Sequence, residues 1–319
     1  MFLRTACILW MTALGLCAGE DLVVRVGFFA NVTHAQALVA SSMSREGMGW
    51  FESRLGQAVR LEWLVYQAGS SAMEGLFTKA IDWTYVGPSP VVNAHIRANG
   101  NDVRVAAGAM RGGEALVVRG DTIQTPADFL GKTVATPQLG NTQDVECRAW
   151  LKHHGFRVTL TGGDVKVIPT ANPDMLPLFQ QGKLDAAWTV EPWVTRLVKE
   201  ADGRIFHADP DGLTTVLAAR AGFLENHSDL ARAFVQAHRE LTTWIIQNPE
   251  EAQSRVQKEL SRITRREISM DLVRTCWGRL KPEASITLAP FEKFLAHARE
   301  VGFLRGRTSL ERLLWEAAP

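Results

Sequence analysis

An α/β fold of two lobes followed by a helical tail is what the sequence predicts, on three grounds. β-rich runs alternate with helix-length runs twice over, at about 20–110 and about 113–210. Beyond residue 219 the strands give way to apolar residues spaced by three and four, the mark of amphipathic helices. The length, 319 residues, suits two domains, and 46% hydrophobic residues suffice for packed cores.

Taken in order, the first unit has β-rich runs at 22–28, 59–65, 81–86 and 103–107. They are separated by helical segments at 34–55, 72–80 and 90–99. The second has strands at 114–119, 132–136, 164–168 and 185–190, with helices at 142–154 and 174–181. The run 214–219 is a ninth strand, and helices follow at 230–247, 249–260, 271–279 and 290–301. This alternation predicts parallel sheets with helices on both faces. Small residues at 110–113 and the stretch 209–215 mark two crossings between the lobes, a hinge of two strands with a ligand cleft beside it. The expected division is a first lobe of 20–112 and 213–319 and a second lobe of 113–212.

Residues 1–19 read as a secretory signal: Arg4, then an apolar run from Thr5 to Cys17, then small Ala18 and Gly19. Cleavage after Gly19 is the best small-residue fit; lipidation of Cys17 is the alternative, disfavoured by bulky Leu16. The expected product is a soluble, exported protein, with no second apolar segment long enough for a membrane span. The whole chain has 35 basic and 34 acidic residues. Losing Arg4 with the signal leaves 34 of each, so nothing supports a nucleic-acid partner. Cys147 and Cys276 would remain, either as one disulfide or, the reading favoured by the apolar helix around Cys147, as two buried thiols.

The turns that follow the strands carry the functional signal. Thr33 and Gln36 have capping-box spacing, as do Ser71 and Glu74; Ser89 precedes Pro90; and Asn172–Pro173 and Glu191–Pro192 are cap-and-proline pairs. In doubly wound sheets such turns sit at the carboxyl ends of strands, where ligands bind. Helix starts facing one cleft would hold an anion through free N–H groups and the positive ends of their dipoles. Asn31, Ser70, Ser71, Ser89, Asn141, Thr142 and Gln143 would add side-chain hydrogen-bonding groups. His34 stands next to a cap and is a candidate contact, and Trp193 is placed to face the cleft. Glu191 is either a cap or a carboxylate that repels a bare anion and attracts an amine. His153 and His154 suit a helix C-terminus before Gly155. No P-loop, G-x-S-x-G, H-E-x-x-H or metal-spaced Cys/His cluster is present, so no catalytic residue, metal or cofactor is expected. The sequons at Asn31 and Asn226 are short chance patterns.

The segments RVGFFANVTHAQALVA, FTKAIDWTYVGPSPVVNA, TPADFLGKTVATPQLGNTQD and LFQQGKLDAAWTVEPW resemble periplasmic substrate-binding proteins of ABC importers. The similarity is to the aliphatic sulfonate, taurine and nitrate type, to which the thiamine-pyrimidine binding proteins are related. It extends into the tail through GFLENHSDLARAFVQAHRELTTWIIQNPEEA. The resemblance implies a type II periplasmic binding fold, two α/β lobes on a two-strand hinge, with the tail packed on the first lobe. It implies a periplasmic monomer that binds one small organic anion or zwitterion and delivers it to a permease and its ATPase. By position it adds Thr33, Gly87 and Asn172 to the pocket. His34 and Glu191 depart from the sulfonate pattern and leave room for a zwitterion such as taurine, or a heteroaromatic. The alternative is an enzyme on the same fold, of pyrimidine-precursor or menaquinone-pathway type.

Overall fold

The computed structural model describes residues 22–56, 58–306 and 308–316. The expected signal, with its cleavage point, Cys7 and Cys17, lies outside them.

In chain order, β1 (Leu22–Phe29) leads through a 3-10 turn at Val32–His34 into α1 (Ala35–Arg45) and the short α2 (Glu52–Leu55). Then come β2 (Val59–Tyr66), α3 (Gly69–Phe77), β3 (Trp83–Val86), α4 (Pro88–Arg97) and β4 (Val103–Gly112). The second unit is β5 (Glu114–Arg119), β6 (Thr133–Thr136), α5 (Thr142–His153), β7 (Lys166–Pro169), α6 (Asn172–Gln180), β8 (Ala186–Val190), α7 (Trp193–Glu200) and β9 (Gly203–His207). β10 (Leu213–Arg220), α8 (Ala221–Asn226), α9 (Ser228–Gln247), α10 (Pro249–Thr264), α11 (Met270–Trp277), β11 (Leu280–Pro282) and α12 (Ala289–Glu300) complete it.

The strands form a six-stranded sheet of order β11-β4-β10-β3-β1-β2 and a five-stranded sheet of order β7-β6-β8-β5-β9. Neither is purely parallel, which corrects the sequence expectation. β1 pairs in parallel with β2 and β3, and β6 with β7 and β8. The strands next to the crossings run the other way: β10 is antiparallel to β3 and β4, and β5 to β8 and β9. The chain leaves the first sheet along β4 and returns along β10, so those two must oppose each other.

The central strands β3 (WTYV) and β8 (AAWTV) are buried at every position, as continuous apolar runs between two helical layers should be. Trp83 of β3 stacks on Phe234 of α9 with ring centroids 4.5 Å apart, and Phe51 stacks on the same ring at 4.4 Å. These contacts fix α9 on the first lobe, and α10 packs on α1. The tail does not stay on that lobe alone. α12 packs against both α4 and α5, with Ala298 and Val301 against Val145 and Ala149, and α11 meets α7. Its apolar face is shared because α12 lies where the lobes adjoin.

The first crossing is Gly112–Gly113, with φ of 66° and 73°. Left-handed backbone favours glycine here, and space demands it: a Cβ at Gly112 would lie 2.5 Å from the Arg279 carbonyl oxygen, and one at Gly113 2.4 Å from Leu280 Cδ2. Residues 208–212 make the second crossing. Cys147 and Cys276 are separate buried thiols.

Candidate functional site: the cleft between the lobes

The strand-to-helix turns are where the sequence placed them, but several caps are not. Gln36 is fully buried in α1, and its amide donates to the Ala109 carbonyl at 2.6 Å and to Thr242, so it closes no box with Thr33. α3 starts at Gly69, which puts Ser71 inside the helix with its hydroxyl on the Ala68 carbonyl. α4 starts at Pro88 behind Gly87, so Ser89 is a helical residue rather than the cap. Asn172 is likewise the first residue of α6. Asn141 is a working cap, its side chain accepting from the Asp144 amide at 2.9 Å.

Freed from capping, several of these groups reach across to the other lobe. Trp193 Nε1 donates to Asn31 Oδ1 at 3.3 Å, and the Val32 amide donates to the Glu191 carbonyl at 3.1 Å. Ser89 Oγ donates to the Gly140 carbonyl at 3.1 Å, while the Ser89 amide donates to Thr142 Oγ1 at 3.3 Å. Gln138, which sequence reasoning missed, donates to Ser70 Oγ at 2.6 Å. Gly87 lies so close to the facing lobe that a Cβ would stand 2.6 Å from Thr142 Oγ1. Asn31, Ser70, Gly87, Ser89, Thr142, Glu191 and Trp193 therefore lie where turns of the two lobes face each other. Gln143 is beside them but turned to Glu114, donating to Oε2 at 2.7 Å.

The rest are placed otherwise. Ser71 is exposed and bonds within its own turn. Asn172 Oδ1 accepts from Thr189 at 2.7 Å inside the second lobe. Thr33 is buried, with its methyl 3.0 Å from where a Gly113 Cβ would stand.

The α5 turn is held rigid from behind. Asp144 takes Thr136 Oγ1 at 2.7 Å, the Gly140 amide at 2.9 Å and Arg148 Nε at 3.0 Å, both charged side chains being buried. Arg148 spends its other donors on the Thr159 and Val167 carbonyls. A buried pair with its remaining donors satisfied fixes geometry more than it adds stability.

Glu191 follows the cap alternative of its two readings. It is fully buried, and its carboxylate accepts from the Thr195 amide and hydroxyl, both at 3.0 Å, from Cys276 Sγ at 3.2 Å and from Arg279 Nε at 2.7 Å. It helps to cap α7 and is neutralised by a cation from the tail, so it offers no bare charge to an amine. Arg279 was invisible in the sequence because it is 88 residues away.

His34 is buried, and desolvation lowers its pKa to about 3, so the ring is neutral. Its Nδ1 accepts from the Phe29 amide at 3.3 Å, which places the ring proton on Nε2 as a neutral donor. Trp193 carries Arg196 over its ring at 5.0 Å, the guanidinium being held by Glu200. The cleft is thus nearly uncharged, lined by amide, hydroxyl and indole groups at helix starts. Among the described residues, none of its hydroxyls bonds a histidine or carboxylate in the manner of an activated nucleophile. Among those residues no His/Cys/Asp/Glu group has metal-holding geometry, and no helix is long and apolar enough to cross a membrane.

Comparison with known proteins agrees with this architecture. A taurine-binding periplasmic protein of Escherichia coli (strain K12) is 28% identical over 196 residues, 60% of this chain and 59% of that protein. A protein of Bacillus subtilis (strain 168) named for aliphatic sulfonate binding is 24% identical over 213 residues, 64% of this chain and 61% of that one. The matches therefore span about three fifths of these relatives' lengths. The alkanesulfonate-binding protein SsuA from Xanthomonas axonopodis pv. citri, bound to MOPS, superposes with a TM-score of 0.74. It is 18% identical, with 93% of this chain and 99% of that one covered. The periplasmic nitrate-binding protein NrtA from Synechocystis PCC 6803 gives 0.70 at 16% identity, with 89% and 83% covered. At these identities the structures share the fold: two α/β lobes of the periplasmic binding-protein type. The NMT1-like family profile matches residues 18–259, most of the sequence, and the chain belongs to that family.

Proposed function

We propose that this protein is an extracytoplasmic solute receptor that binds a small organic anion or zwitterion, aliphatic sulfonate or taurine in kind, in the inter-lobe cleft. It would act in the periplasm, free of enzymatic activity, and deliver its solute to the permease and ATPase of an ABC importer. The observation that carries this reading is the meeting of helix-start turns from both lobes at one nearly uncharged cleft, through Asn31–Trp193, Ser70–Gln138 and Ser89–Thr142. Such a cleft suits capture by oriented N–H groups rather than by a fixed cation. The relatives named for taurine and aliphatic sulfonates support the solute class.

The test is calorimetry and thermal shift with taurine, alkanesulfonates, nitrate, phosphonates and pyrimidines. A true solute at about 100 times its dissociation constant adds roughly 2.7 kcal/mol of stability. If no member of the panel raises the melting temperature, the solute assignment is wrong.

A further inference from the structure

Beside the second crossing a cavity of about 670 Å³ opens between α12, α5, β8 and β9, with Glu114 in its wall bonded to Gln143 next to the cleft. None of the cleft residues named above lines it. Trp150 and Trp188, with ring centroids 6.4 Å apart, form its aromatic wall on the second lobe, and Phe294 of α12 lies opposite.

The charges in this cavity do not balance locally. Arg111 and Asp211 line it but have partners of their own, Glu283 for the first and Lys281, at 2.6 Å, for the second. That leaves Glu114, Glu146 and Asp209 against one ammonium, Lys293, which stands 3.9 Å from Glu146 and 3.7 Å from Asp209. His297 lies 3.0 Å from Glu146. Desolvation is the main cause that lowers the pKa of His207. Glu114 is buried and faces neutral donors, the amide of Gln143 at 2.7 Å and the indole of Trp188, with no cation at ion-pair distance among the described residues. Burial raises its carboxyl to about 7, as expected for a carboxylate lacking a counter-charge. The buried Trp188 indole N–H is the second neutral group that acts on Glu114.

We propose that this cavity is a second binding site, for a small organic cation: a primary amine carried on an aromatic or aliphatic body. The ammonium would supply a counter-charge to Glu114, which has none, and share Glu146 and Asp209 with Lys293, while the body would lie against Trp150 and Trp188. Because the walls come from both lobes and α12, the occupant would tie the lobes together on the hinge side. The site does not depend on which solute the cleft takes.

The experiment titrates the full chain with 2-phenylethylamine, and separately with 3-phenylpropionate, which matches it in shape but carries the opposite charge. Calorimetry and tryptophan fluorescence report binding. The amine should saturate at one per chain and the acid should not bind. Glu146→Gln and Asp209→Asn should each weaken the amine about tenfold with melting curves close to the parent's. Saturating taurine should leave the amine isotherm in place. Equal binding of the acid, no saturable amine binding at millimolar concentration, unchanged affinity in both variants, or displacement by taurine would each overturn the proposal. The taurine titration alone reports on the cleft, so failure there is read separately.

Discussion

Arg279→Met is the sharpest probe of how the second lobe is fastened to the tail. Glu191 has no exposed side-chain surface, and Arg279 is its only cationic partner among the described residues, at 2.6 Å. Removing one member of a buried pair costs about 3–5 kcal/mol, because a bare charge is left behind. Two features reduce that here. Three other donors still reach the carboxylate, and Arg279 is 31% exposed, so water can enter the space its guanidinium vacates. The expected loss is about 2–3 kcal/mol, or about 3–5 °C in melting temperature for a chain of this size. Adding Glu191→Gln should restore most of it, since the amide can still accept from Thr195 without a charge to bury. Calorimetric melting of the parent, both single variants and the double variant gives the coupling directly. If Arg279→Met melts within 1 °C of the parent, or if the two losses simply add, Glu191 does not depend on Arg279.

Gly87→Ala tests the closeness of the lobes. Gly87 has ordinary extended backbone, φ −67° and ψ 152°, so alanine fits locally, but its methyl would stand 2.6 Å from Thr142 Oγ1 on the other lobe. Taurine affinity measured by calorimetry should fall about tenfold, or about 1.4 kcal/mol, with the melting temperature unchanged; equal affinity would show that the gap is not part of the binding geometry. Trp193→Ala removes the indole that spans the cleft to Asn31 and should likewise weaken taurine about tenfold, and intact affinity would make Trp193 packing alone. Acid should destabilise the protein in a defined window. His34 and His238 are lowered from 6.5 to about 3 and about 4 by burial, so each takes up a proton on unfolding below pH 6.5. Glu114, raised from 4.5 to about 7, opposes this by releasing one. The net uptake near pH 5.5 is about one proton, so stability should fall by about 1 kcal/mol per unit as pH drops from 6.5 to 4.5. A flat urea-unfolding profile over that window would contradict the buried, neutral state of the two histidines.

The fold was legible wherever apolar runs were long and bounded. β3 and β8 are continuous apolar strands, and α9 and α10 carry clear three-and-four spacing. β9 (GRIFH) and β11 (LKP) escaped because they are short and half polar, and become strands only by pairing with β5 and β4. The candidate site was legible as a set of turns but not as a set of partners. The Thr33–Gln36 spacing looks local, yet the Gln36 amide goes to Ala109 and Thr242, 73 and 206 residues away. Glu191 and Arg279 likewise meet only through the tertiary fold. Asp144 and Arg148 stand i,i+4 on α5, so their partnership was open to a sequence reading and was missed.

The order of strands in the larger sheet has a consequence for how the chain matures. β4 ends at Gly112, but its neighbours in the sheet are β10 and β11, which begin at Leu213 and Leu280. For a chain emerging N-terminus first, about a hundred further residues must appear before the first neighbour of β4 exists. The smaller sheet is drawn wholly from 114–207, so it can finish during that interval. The lobe that begins first is therefore completed last. Throughout the delay the largely apolar VRVAAGAM lacks both its sheet neighbours, and it is a segment in need of protection from intermolecular pairing.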